Sequence, residues 1–417
     1  MEYRGIKYLR RKLGQKRTRV NIRYKYYEMK AYADDFGIST PPKLRGMRNV
    51  LGWCGKAVDT LADRLVFDEF VDDNFAMNEI YNLNNRDIIF DSAILSALIT
   101  SCCFLYISKD DEGYPRIQVI DGGNATGVID PITNMLTEGY AVLERDDAGA
   151  PKIELYFVPG KTYCYTVGER EPKIEITNAM YPALVPIIYR PDARRQFGHS
   201  IISRACMDIV KSAMRTVKRS EISAEFFSFP QKYMLGTSPD ATIDKWTAAM
   251  SAMINISKDD DGNTPTMGQF TQQSMSPHID QLRMFAALFA GETGLTLDDL
   301  GFPSDNPSSA EAIKSSHENL RLTARKAQRT FGSGFLNAGY VAASMRDGFP
   351  YEREQIYLTR ATWEPIFEPD AAMLSGIGDG IIKINQAIPG YIGNDNIKEM
   401  TGIRKNKEAK SDSEGMV

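Results

Sequence analysis

The sequence predicts an α+β fold that joins one β-rich layer to unusually long helices, and three observations carry that prediction. Between residues 115 and 190, short alternating or β-branched runs follow one another across Gly-, Pro- and Asp-rich turns. From Ser200 to about Phe227, Ile202, Cys206, Ile209, Ala213 and Val217 form one apolar helical stripe. From near Ser309 past Phe331, Ile313, His317, Leu320, Ala324, Ala327 and Phe331 recur on one face. With 417 residues, 43% hydrophobic and 25% charged, the composition excludes a disordered, collagenous or fibrous chain.

Taken in order, residues 1–40 read as a basic, Tyr-rich amphipathic arm at the periphery, ended by Pro41 and Pro42. Lys43 to Val66 carries Leu44, Met47, Leu51, Val58, Leu61 and Leu65 near helical spacing, and DEFVDDNF after it reads as a polar break. Asp87 to Leu105 predicts a second helix. The strands follow as IQVID, NATGVID, MLTEGYAVLER, IELYFVP, KTYCYTV and KIEIT. The helix from Ser200, about 40 Å long at 1.5 Å per residue, is a strut that Pro230 stops, and Arg204, Lys211, Arg215 and Lys218 form a basic stripe beside its apolar one. A small β-α-β unit comes next: QKYMLG, a helix from Ile243 to Ile256, and TMGQFTQ. Ile279 to Ala290 predicts another helix, broken at Gly291 and Gly294. Ser308 and Glu311 fit a capping box for the long helix, whose Gly332-Ser333-Gly334 reads as a kink or end. Past Pro369, short Gly-, Ile- and Ala-rich helices lead to a charged, disordered tail.

Charge is segregated. Residues 1–30 hold eleven Lys or Arg against Glu2 and Glu28, and residues 194–219 hold seven against Asp208, while the whole chain is at −4. A basic arm beside an acidic body suggests a polyanionic or acidic protein partner, the plain alternative being solvated helix faces.

Chemistry-bearing patterns are sparse. Five scattered cysteines do not make a disulfide framework, and the vicinal Cys102 and Cys103 lie in an apolar run, where burial is the simplest reading. Three separated histidines and no CxxC or HxxxH spacing speak against a zinc site; His317 reads as a packed core residue, and His199, beside Arg194 and Arg195, as a helix-entry residue or an aid to an anion site. Gly52-Trp53-Cys54-Gly55-Lys56 is too short for a phosphate-binding loop, and Asp259-Asp260-Asp261-Gly262-Asn263 lacks the glutamate of a calcium loop. Asp68, Glu69, Asp72 and Asp73 form an acidic cluster that reads as a solvated loop or, alternatively, as a two-magnesium site of a nucleic-acid enzyme. The run Ala93 to Ile107 is too short to span a membrane, and the basic N-terminus lacks a secretory h-region, so a cytoplasmic, non-membrane protein is expected. No base-reading module is present, so any DNA partner is handled without regard to sequence.

Two features, about a hundred residues apart, resemble a known family. Phe197-Gly198-His199-Ser200-Ile201-Ile202 opens the strut, which ends in Ser223-Ala224-Glu225-Phe226-Phe227-Ser228-Phe229-Pro230. Asp305-Asn306-Pro307-Ser308-Ser309-Ala310-Glu311-Ala312-Ile313 starts the helix containing Ala324-Arg325-Lys326-Ala327 and Phe331-Gly332. In this order, and across roughly Leu44 to Gly402, the chain resembles the portal, or head-tail connector, proteins of long-tailed bacteriophages.

The resemblance implies a non-enzymatic ring of about twelve copies at one capsid vertex of the virion, assembled in the host cytoplasm without a cofactor or metal, through which double-stranded DNA is packaged and ejected. It implies a wing (1–198 with 308–365), stem helices (199–227 and 277–292), a clip (228–276), a tunnel loop (293–307) and a crown (366–417). Tunnel-lining residues would be Thr293, Leu295, Thr296, Asp298 and Asp299, with Lys211, Arg215 and Lys218 from the strut. Lys245, Trp246, Lys258 and Asp260 of the clip would dock the large terminase subunit and then the head-completion adaptor. Scaffolding and major capsid proteins would be further partners. On this reading the strut's apolar stripe meets neighbouring subunits, and the basic arm of one subunit meets the acidic body of the next, since a head-to-tail ring needs two different complementary faces.

Overall fold

A computed structural model describes residues 3–34, 45–228, 232–235, 266–269, 274–303, 315–367, 369 and 371–403. The β-rich stretch folds as expected. β4 (Ala125–Ile129), β5 (Leu136–Arg145), β6 (Pro151–Val158), β7 (Lys161–Thr166) and β8 (Lys173–Ile176) form an antiparallel meander in sequence order. A second antiparallel sheet, ordered β3-β2-β9, is built from β2 (Cys102–Lys109), β3 (Pro115–Ile120) and β9 (Leu184–Ile188).

The helices depart from the sequence reading where burial removes periodic contrast. The segment Lys43 to Val66 yields only α2 (Trp53–Ala62), and the supposed polar break contains β1 (Phe67–Val71), followed by α3 (Met77–Leu83). In β1 the buried Phe67 and Phe70 flank a register irregularity, which disguises strand alternation as a charged turn. α4 (Arg86–Thr100) stops five residues short of the expected end. Ser101 adopts a left-handed conformation (φ 86°), and Cys102 begins β2. Ala93 to Ile107 is apolar because the end of α4 and all of early β2 are buried, so hydrophobicity alone marks no boundary.

The strut is α5 (Arg204–Ser228), starting later than Ser200, with the Ser203 hydroxyl accepting from the Cys206 N–H at 3.1 Å. β10 (Lys232–Leu235) pairs antiparallel with β11 (Thr266–Gln269); the expected helix Ile243 to Ile256 lies outside the described residues. α6 (Ser276–Thr293) is followed by α7 (Glu318–Asp347), β12 (Arg360–Trp363), α8 (Ala371–Ala387) and α9 (Asn394–Thr401). The capping box at Ser308 and Glu311 also lies outside the described residues.

Gly332 and Gly334 do not kink or end α7 but lie inside it. A Cβ at Gly334 would come 2.8 Å from Ile187 Cδ1, and one at Gly332 2.9 Å from Ala361 Cβ, so the missing side chains let α7 press onto β9 and β12. Around Phe67 an aromatic cluster forms, with Phe67–Phe90 centroids 4.1 Å and Phe90–Phe335 centroids 4.6 Å apart, and the Tyr81 hydroxyl donates to the Phe335 carbonyl at 2.7 Å. β12 closes this region against β1, Phe67 opposite Trp363.

The N-terminal arm is not peripheral. α1 (Ile6–Tyr27) buries Leu9, Leu13 and Val20 on the body. Its start is held by the buried Glu138 carboxylate of β5, which accepts from the Arg4 N–H at 2.9 Å, the Gly5 N–H at 3.0 Å and the Tyr156 hydroxyl at 2.9 Å. Arg10 pairs with Glu154, and Lys12 Nζ donates to the Gly127 carbonyl at 2.6 Å. The basic arm therefore meets the acidic body within one chain. Burial, reinforced by Lys16 and Arg4, lowers the Lys12 pKa from 10.5 to about 8. Between those values the unfolded chain binds more protons than the folded one, so stability from this group rises with pH. Hydrogen-exchange protection of α1 is expected to increase from pH 8 to pH 10 in the wild-type protein, and the increase to shrink in Lys12→Met.

Candidate functional site

The expected tunnel loop and strut converge where α5 and α6 pack together. Ser203 Oγ, at the start of α5, donates to Glu292 Oε1 at 2.8 Å, and Thr216 Oγ1 to Gln281 Oε1 at 2.9 Å. Because the partners run in opposite sequence order, the two helices are antiparallel. Cys206, Val210, Ala213 and Met214 are buried on α5, Ala286, Phe289 and Ala290 on α6, and Trp53 packs against Phe289 with centroids 5.8 Å apart. The strut's apolar stripe is thus occupied inside the subunit rather than reserved for a neighbour.

The sequence-expected lining residues separate into surface and interior groups. Lys218 is 1% exposed, which removes it from the surface of this subunit. Lys211 Nζ lies 2.9 Å from Asp34 Oδ2. Arg215 is exposed, with no ion-pair partner among the described residues. Gly294, at φ 79°, ends α6, and its N–H donates to the Ala290 carbonyl at 2.8 Å; the Thr293 hydroxyl donates to the Phe289 carbonyl at 2.8 Å. Leu295 is 7% exposed, so it anchors the loop instead of lining a channel. Thr296 gives both its N–H (2.9 Å) and its hydroxyl (2.8 Å) to Asp299 Oδ2, folding a short 3-10 turn over Asp298–Leu300. The Asp299 carboxylate is committed to that turn, and Asp298 is exposed. His317 is half-buried, not a core residue, with Nδ1 4.0 Å from Asp299 Oδ2. Lys245, Trp246, Lys258 and Asp260, and Asp305 of the loop, lie outside the described residues.

The Phe197–Ile202 motif has a physical explanation: it satisfies the C-terminal carbonyls of α4. The Ile201 N–H donates to Leu98 O at 3.1 Å, the Ser200 hydroxyl to Ile99 O at 2.6 Å, and Arg23 of α1 to Thr100 O at 2.9 Å. A cation at a helix C-terminus also suits the helix dipole. The Phe197 ring sits under Lys12 and Lys16, at 4.9 and 5.5 Å from the ring centroid. Gly198 (φ 71°) lets the His199 N–H reach the Tyr189 carbonyl at 3.0 Å. His199 is a junction residue, its Nε2 2.5 Å from Asp192 Oδ2. That ring and the Arg195 N–H hold the Asp192 pKa down to about 2.

Beside this junction lies a cleft of about 1100 Å³ that the sequence did not single out, carrying Arg190, Lys326 and Arg329. Lys326 and Arg329 lie on α7, and their convergence with Arg190 depends on the turn after β9 and has no signal in spacing.

The acidic cluster does not converge. Lys398 of α9 bridges Asp68 (2.7 Å) and Glu69 (2.5 Å) on β1, Asp73 caps α3 through the Met77 and Asn78 N–H groups, and Asp72 faces Arg360 at 3.7 Å. The solvated-loop reading is corrected as well, because Asp68 is buried. Among the described residues no three side chains form a metal cage, and no helix is long and apolar enough to cross a membrane.

Residues 6–371 match the family model described as phage portal protein, SPP1 Gp6-like. The portal proteins of Mycobacterium phages L5 and D29 are each 23% identical, over 392 and 390 residues, covering 87% of this chain and 80% of theirs. Among solved structures, a chain of the virion of a native gene transfer agent particle aligns with TM-score 0.48 and 13% identity over 85% of this chain and 90% of its own. A chain from the neck of that native particle, computed with C12 symmetry, aligns with TM-score 0.45 and 13% identity over the same shares. On the family match, the chain belongs to the SPP1 Gp6-like phage portal proteins.

Proposed function

We propose that this portal-family chain assembles head to tail into a ring of twelve and acts as a passive conduit for double-stranded DNA at a capsid vertex. The observation that carries the reading is the family match across residues 6–371. The antiparallel pair α5 and α6 supplies a rigid stem, β1 to β9 with α7 and β12 the wing, β10 and β11 the visible part of the clip, and α8 and α9 the crown. The large terminase subunit and then the head-completion adaptor dock at the clip, and scaffolding and major capsid proteins contact the wing. ATP hydrolysis belongs to the motor.

Sliding DNA requires a wall that does not grip phosphate, because each Lys or Arg contact releases counterions and adds affinity. In the loop after α6, Asp298 is the exposed acidic group and Asp299 is turned inward, and residues 293–307 contain no Lys or Arg. Purified protein is expected to form annular particles with a central opening in negative stain; a strictly monomeric protein at high concentration and low salt sinks the reading. In assembled particles, Asp298→Lys is expected to slow DNA packaging several-fold at low salt and little at high salt, since exposed charges are screened. Equal slowing at both salt concentrations refutes an electrostatic role for the loop.

A further inference from the structure

The cleft beside the Phe197–Ile202 junction carries three cations with no carboxylate to meet them among the described residues. Arg190, on the turn leaving β9, and Lys326 and Arg329, one turn apart on α7, are all exposed along its walls. Its one lining carboxylate, Asp192, is already held by His199 Nε2 at 2.5 Å and by the N–H groups of Arg194 (2.8 Å) and Arg195 (2.6 Å). The cleft is also lined by the apolar Ile129, Pro186 and Ile188, where Gly334 brings α7 against β9, and by the polar Asn134, Thr330 and Asn337. On the arm, Arg10, Lys12, Lys16 and Arg23 are engaged on their own body, while Lys7, Arg11 and Arg19 are exposed.

We propose that this cleft receives a carboxylate-bearing segment of a second copy of the chain, making it the basic half of the head-to-tail interface. Charge complementarity names the occupant. The chain is acidic overall and exposes Asp111, Glu112 and Asp147 on hairpin turns, without ion-pair partners among the described residues. A ring-closing contact requires two unlike faces on each subunit; the strut stripe is covered internally, and the cleft offers a concave basic face for one of them. A concave site lined by both cations and apolar side chains suits a projecting protein turn that carries carboxylates; a duplex presents a continuous row of phosphates and nothing to cover the apolar lining. The inference rests on ring assembly and assigns it a surface.

The test uses full-length protein co-assembled from ¹⁵N-labelled and unlabelled subunits and treated with a carbodiimide, which condenses an amine with a carboxylate in contact. A mass-spectrometric cross-link from Lys326 to an Asp or Glu of a differently labelled chain is expected. The double variant Lys326→Glu/Arg329→Glu, both exposed sites, is expected to keep the wild-type melting temperature while the concentration for half-assembly rises roughly ten-fold or more at low salt and less at high salt. Cross-links confined to Lys326's own chain, or unchanged assembly of the variant, overturn the proposal while leaving the portal reading intact. Loss of DNA retention with assembly unchanged assigns the cleft to nucleic acid and overturns it equally. Failure of the wild-type protein to assemble at all removes the portal reading and this inference with it.

Discussion

Gly198→Ala is expected to destabilise the subunit by about 4 kcal/mol or more and to abolish assembly at physiological temperature. Two effects add. At φ 71° an alanine is strained, by about 1–2 kcal/mol in the left-handed region. Its Cβ would also stand 2.0 Å from the Tyr189 carbonyl oxygen, a backbone atom fixed by its bond to the His199 N–H. Relieving that collision pulls the Phe197–Ile202 segment from the end of α4 and strands the carbonyls of Leu98 and Ile99, which Ile201 and Ser200 now satisfy. Gly168→Ala provides the contrast: its φ is 99° but no atom lies within 4 Å of the added carbon, so only the backbone strain, about 1 kcal/mol, is expected. Chemical denaturation of the two variants separates strain from collision, and equal losses would refute this account of the motif.

Glu138→Ala is expected to release the N-terminal helix at a cost of about 3 kcal/mol or more, because it leaves the Arg4 and Gly5 N–H groups and the Tyr156 hydroxyl without their acceptor. Amide exchange across Ile6–Tyr27 should accelerate more than ten-fold while α7 stays protected. Glu138→Gln keeps one acceptor oxygen and should lose less. Arg10→Ala, which breaks a partly exposed ion pair with Glu154, should cost within about 1 kcal/mol. If the alanine variant at Glu138 exchanges like wild type, the helix is held instead by Leu9, Leu13 and Val20 with the bonds of Lys12 and Arg23.

The two outcomes bear on what the sequence could convey. Strands β4 to β8 were legible because Gly- or Asp-rich turns punctuate them and, in β6, because alternation survives where one face is half exposed. The boundary between α4 and β2 was not, since Leu98, Ile99, Cys102 and Cys103 are all essentially buried and the polar pair at the reversal, Thr100 and Ser101, is buried with them. β1 was hidden by Asp68 and Glu69, which act as strand residues because Lys398, about 330 positions later, neutralises them. The same long-range logic explains the site. Asp298 and Arg215 are surface groups that local reading could find, whereas Lys218 and Leu295 are interior because of what α5, α6 and the loop pack against. Arg190 meets Lys326 and Arg329 only through the sheet. Charge segregation is legible as composition, but the docking of α1 on its own body is not, because Lys12 meets Gly127 and Arg23 meets Thr100 only through the fold.

The pairing of β1 with β12 joins positions 293 residues apart, as in the bond between Glu69 and Thr362. A ribosome-bound chain therefore holds β1 as an open edge until residues 360–363 have emerged to supply its partner. Because an unpaired edge can template pairing with another chain, late closure by β12 leaves the nascent subunit open to wrong strand pairing until that segment arrives.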